Sequence, residues 1–107
     1  MILTTCDEVP GRRIVSTIGL VKGNAVRARH LGRDITAVFK NIVGGELDEY
    51  TKLLAEAREQ ALDRLVEDAK SRGADAITAI RISSTQVSSG AAEFLAYGTA
   101  VKLDASP

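Results

Sequence analysis

The chain has 107 residues, 45% of them hydrophobic and 26% charged, a mix that belongs to an ordinary folding domain and lies outside the disordered range. Fourteen basic and fourteen acidic side chains cancel, so no overall field steers the molecule toward a polyanion. One cysteine excludes an intrachain disulfide and any zinc site built from paired thiolates of one chain.

This length suits one domain, 1–107, with a single core. No uncharged stretch approaches the roughly 20 apolar residues that span a bilayer, so a membrane is not an expected partner. The start, Met-Ile-Leu-Thr-Thr-Cys-Asp, has neither the basic n-region nor the apolar h-region of a secretory signal, so the expected compartment is the cytoplasm.

In chain order, a short strand is expected at Ile2 to Thr5, followed by a turn at "DEVPG", where Pro10 presets φ and Gly11 accepts positive φ. "RIVSTIGLVKGNAV", Arg13 to Val26, is rich in β-branched residues and reads as a long strand bent or bulged at Gly19 and Gly23. Leu31, Ile35, Val38, Phe39, Ile42 and Val43 recur at spacings of three and four, predicting a helix over Leu31 to Val43. Gly44 is its αL terminator.

A second helix is predicted from Glu46 to Arg72. Leu47, Tyr50, Leu54, Ala57, Ala61, Leu65 and Ala69 form its apolar stripe, Glu46, Asp48 and Glu49 suit its positive end, and Gly73 closes it. Two β-rich runs follow, Ala74 to Val87 and Ala92 to Leu103, joined through Ser88-Ser89-Gly90 as a hairpin. The fold class is α+β, with a mainly antiparallel sheet and a short and a long helix in the order β-α-α-β-β.

A 27-residue helix is about 40 Å long. A compact domain of this size has a diameter of roughly 34 Å. By this measure the helix overhangs its own domain, and its apolar seam from Tyr50 to Ala69 requires another copy to cover it, predicting a homo-oligomer. Charge points the same way. Pro10 to Arg33 holds six bases and no acid, whereas Glu46 to Arg72 holds eight acids against five bases, which favours head-to-tail contact.

Chemical candidates are few. Gly44-Gly45 lacks the Lys-Ser/Thr of a phosphate loop and the third glycine of a dinucleotide fingerprint, and the following acids repel an anion; the pair is a helix stop and start. Cys6, Asp7 and Glu8 place a soft thiolate beside two carboxylates, a candidate site for a divalent or soft metal ion, which His30 or a neighbour's Cys6 would complete. The alternative is a small buried cysteine before a solvated acidic turn. His30 otherwise reads as a surface or capping residue at a helix entrance.

The basic run Lys22 to Arg33 has no interleaved aromatics, which argues against nucleic acid as a partner. Arg81, Ser83 and Thr85 share a strand face, lining a pore if turned inward and forming a wet face if turned outward; the wet face is favoured because hydroxyls are easily solvated. No catalytic constellation is present. Glu93 with Arg81 is the pair to inspect for an enzyme with an intersubunit pocket.

"PG" before a long strand, "RDI", "IVGGELDEYTKLLAEAREQAL", "AKSRGADAI" and the terminal "YGTAVKL" together resemble the YbjQ-like family, small domains that carry a heavy-metal-binding label and no settled role. The resemblance covers about Thr4 to Leu103. It implies a dodecin-like α+β subunit, a hairpin after the long helix and a ring-shaped homopentamer. It carries no catalytic residue over. Gly44, Gly45, Tyr50, Arg58, Gly73, Ala74, Asp75 and Gly98 match as residues of turns, helix packing and strand contacts. The expected function is a non-enzymatic homo-oligomeric binding or scaffold domain; the alternatives are a metal-binding module and the intersubunit enzyme.

Overall fold

In the computed structural model, residues 1–28, 45–88 and 91–105 are described below. They form strand β1 (Ile2–Leu3), strand β2 (Ile14–Ala28), helix α1 (Gly45–Ser71), strand β3 (Ala76–Ser88) and strand β4 (Ala91–Leu103). The strands make one sheet in the order β1-β3-β4-β2, with β1 parallel to β3 and both other pairings antiparallel. The expected α+β class, mainly antiparallel sheet and long helix are all present. The predicted helix over Leu31 to Val43, its terminator Gly44 and the turn residues Ser89 and Gly90 lie outside the described residues.

Helix α1 crosses one face of the sheet over β2 and β4. Its stripe of Ala57, Ala61, Leu65 and Ala69 is fully buried against Val21 and Ala25 of β2 and Phe94, Ala96 and Ala100 of β4. The small residues bring the two layers together. At Gly23 the approach is closest: a Cβ would overlap the backbone of Ala61, Arg64 and Leu65. Gly23 is thus a contact point and not the bulge that the sequence suggested. Gly19 does sit at one, with φ of 134° beside the register shift between Thr17 and Gly19.

The expectation that the apolar seam needs another copy to cover it is corrected here for its part from Ala57 to Ala69. Strands of 13 and 15 residues run about 43–50 Å at 3.3 Å per residue, longer than the ~40 Å helix. The described residues extend over 55 × 22 × 16 Å with a radius of gyration of 17.5 Å, so the estimate of a compact sphere was the wrong premise. From Ala57 to Ala69 the buried seam is covered by the chain's own sheet, and it demands no second copy.

A smaller cluster lies on the opposite sheet face at one end, where Val9 of the β1–β2 connection covers Ala76, Val101 and Leu103, with Ile14 at its rim. Beyond it that face has no second layer among the described residues. Leu20, Val26 and Tyr97 are 63%, 52% and 37% exposed there.

Candidate functional site

The connection after β1 carries the candidate ligands, and the strand beside it fixes its path. Ala79 and Ile80 form an irregularity in β3 between Thr78 and Arg81. Ala79 has φ of 53°, a left-handed conformation unfavourable for a residue with a Cβ. There the amides turn outward: Ala79 N donates to Cys6 O at 2.8 Å and Ile80 N to Thr4 O at 3.1 Å. The Arg81 guanidinium donates to Thr5 O at 3.0 Å, so three consecutive carbonyls are held by three consecutive residues. Cys6 N in turn donates to Thr4 Oγ1 at 3.0 Å.

That clamp leaves the Cys6 side chain exposed, not buried, with Asp7 and Glu8 exposed beside it. Among the described residues no three His, Cys, Asp or Glu side chains come together as a metal-holding group. His30 lies outside the described residues. Glu8 borders a shallow depression shared with Gly11, Arg12, Arg13, Ile14 and Asp104. In it Arg12 pairs with Asp104 at 3.4 Å and donates to the Asp104 carbonyl at 2.6 Å, while Arg13 N donates to the Asp104 carboxylate at 3.2 Å. Arg12 and Arg13 line that side of Glu8, where the Arg12 guanidinium is already paired with Asp104.

Arg81 and Glu93 share the sheet face turned away from the helix, because Arg81 pairs with Tyr97 and Glu93 with Thr85. Four residues of strand separate the two positions, about 13 Å along the backbone. Both are already engaged: Arg81 holds Thr5 O and Ile80 O, and Glu93 accepts from Asn24 Nδ2 at 3.4 Å. Ser83 and Thr85 on the same face are exposed in the single chain.

A feature the sequence reading did not identify lies along β2. Arg72 Nη1 donates to Leu20 O at 3.1 Å, Lys22 N donates to the Asp68 carboxylate at 3.1 Å, and Arg64 Nη1 donates to Asn24 O at 2.6 Å. Four helical residues rise about 6.0 Å and two strand residues about 6.6 Å, so charges at i, i+4 and i+8 stay in step with alternate strand residues. The charge spacing was readable in the sequence; the register that gives it partners was not.

The family model for YbjQ, described as "Putative heavy-metal-binding", matches residues 1–104. A UPF0145 protein of Thermotoga maritima is 54% identical over 104 residues, covering 97% of this chain and 98% of that one. Another from Archaeoglobus fulgidus is 52% identical, covering 96% and 95%. A crystal structure of a protein of unknown function of the DUF74 family, from Pediococcus pentosaceus, superposes with a TM-score of 0.64 over 97% of this chain and 98% of its own, at 18% identity, which shows a shared fold. The chain belongs to the YbjQ family, with relatives of nearly matching extent that carry the UPF0145 name.

Proposed function

We propose that this chain is a non-enzymatic, single-domain cytoplasmic subunit of a homo-oligomer, a ring of five dodecin-like subunits, that binds or scaffolds a ligand at a site created by assembly. The carrying observation is apolar exposure on opposite edges of one sheet. Met1, Ile2, Leu3 and Ile82 are 44%, 39%, 45% and 45% exposed on the β1–β3 side, and Val15, Leu20 and Val26 are 51%, 63% and 52% exposed on β2. Exposed apolar side chains on both edges favour contact between copies. Different patches meeting head to tail generate a ring when the rotation closes. Sedimentation equilibrium at micromolar concentration tests this: a higher-order species is expected, and a stable monomer sinks it.

A metal-binding role is the second reading, favoured by the exposed Cys6 thiol beside Asp7 and Glu8 and by the family's description. A neighbouring copy or His30 would supply the remaining ligands. Native mass spectrometry with Zn²⁺, Cu⁺ and Ni²⁺ is the test. Binding that disappears in Cys6→Ser supports the site, and binding unchanged by that substitution, or none at all, removes it.

A further inference from the structure

We propose that Arg64, Asp68 and Arg72 of α1 act as a guard on the outer edge of β2, holding its backbone closed to a strand from a second copy of this chain. Such a guard works whether or not copies assemble through other surfaces. Strand β2 is 15 residues long, stands at the end of the sheet order and exposes Val15, Leu20 and Val26. A long apolar edge strand of that kind is a template for pairing with like chains unless something closes it.

The closure comes from the chain's own helix. Leu20, Lys22 and Asn24 alternate along β2, and each has one backbone group bonded to a side chain of α1: Leu20 O to Arg72, Lys22 N to Asp68 and Asn24 O to Arg64. Every charge suits its backbone partner. A guanidinium meets each carbonyl and a carboxylate meets the amide, while Asp68 is itself held by Arg72 at 3.3 Å. An incoming antiparallel strand exchanges both N–H and C=O bonds with alternate residues of the edge, so each of these three has lost half of what pairing requires.

The rest of the edge is managed by other means. Register shifts between Ile14 and Ser16 and between Thr17 and Gly19 bend β2 just before the capped run, and the exposed Lys22 places a charge within it. The side chains of Leu20 and Val26 stay exposed. Contact between copies through those side chains therefore remains open, while pairing through the backbone does not.

The triple variant Arg64→Ala, Asp68→Ala, Arg72→Ala, compared with the wild type by sedimentation and amide hydrogen exchange, tests the guard, with circular dichroism as a check on folding. At equal micromolar concentration it is expected to form a larger species than the wild type, with its Lys22 amide exchanging on the order of tenfold or more slowly as concentration rises. In the wild type that amide is expected to exchange at a rate independent of concentration, because Asp68 already holds it. Adding Lys22→Pro to the triple variant removes the freed amide and is expected to restore wild-type sedimentation. Ala25→Gly, weakened in the core with its guard intact, is expected to sediment as the wild type does. A triple variant that sediments like the wild type overturns the guard. So does a larger species whose Lys22 amide is indifferent to concentration, one that Lys22→Pro leaves unchanged, or equal association by Ala25→Gly. Should the triple variant not fold, Asp68→Ala alone, which frees Lys22 N and releases Arg72, is read by the same criteria.

Discussion

The Asp68 carboxylate accepts the Lys22 backbone amide at 3.1 Å while pairing with Arg72 at 3.3 Å, so one side chain joins the helix to the edge of the sheet. The arrangement substitutes for a missing neighbour strand. Asp68→Ala is expected to lower stability by about 1–2 kcal/mol, most of it from the lost charge-assisted bond and little from the exposed ion pair. Urea denaturation measures it. A change below a few tenths of a kcal/mol would mean that water caps Lys22 equally well.

Gly23 against Leu65 sets the distance between layers. Gly23→Ala drives a Cβ into helix backbone, which cannot rotate away as a side chain can, so destabilisation of about 3 kcal/mol or more is expected. Thermal unfolding of Gly23→Ala beside Ala25→Gly checks the cause. The second variant removes a buried methyl and adds the conformational freedom of glycine, and is expected to cost about 1.5 kcal/mol. Equal losses would argue for a general intolerance of β2 in place of a specific close approach.

The strength of that contact shows how much could be read in advance. Spacings of three and four from Leu54 to Ala69, with Gly73 after them, located helix α1 to within a residue at either end, because periodicity and capping are local properties of the chain. The sheet's strands were likewise visible in their β-branched runs. Gly23 was misread as a bend because the sequence gives a glycine two uses, freedom of φ and lack of bulk, and only the position of Leu65 across the layer chooses between them. The demand for a second copy over Ala57 to Ala69 failed for a related reason: a compact sphere was assumed where three long strands make a plank. Of the site, Cys6, Asp7 and Glu8 were legible as chemistry, but the clamp that exposes the thiol depends on Ala79, whose backbone conformation no residue type announces.

Ala79 makes a direct test of that clamp. With φ at 53°, its Cβ pays a penalty that glycine lacks, of about 1–2 kcal/mol, offset in part by the entropy glycine loses on folding, about 0.5–1 kcal/mol. Ala79→Gly is therefore expected to raise stability by about 0.5–1 kcal/mol. Chemical denaturation is the measurement, and a loss of stability would show that the methyl makes packing contacts worth more than the strain.

Cys6 is held by its carbonyl and not by its sulfur: Ala79 N reaches Cys6 O, while the side chain stands exposed. The thiol is therefore expected to titrate with a disulfide reagent at one equivalent per chain in the folded state, and Cys6→Ser to change stability by less than about 0.5 kcal/mol, as an exposed substitution does. Comparing thiol reactivity in dilute and concentrated protein then separates two arrangements. Protection that grows with concentration places Cys6 at a contact between copies, where a second chain can complete a metal sphere. Reactivity that stays constant leaves the thiol facing solvent in the assembly and argues against a shared metal at this position.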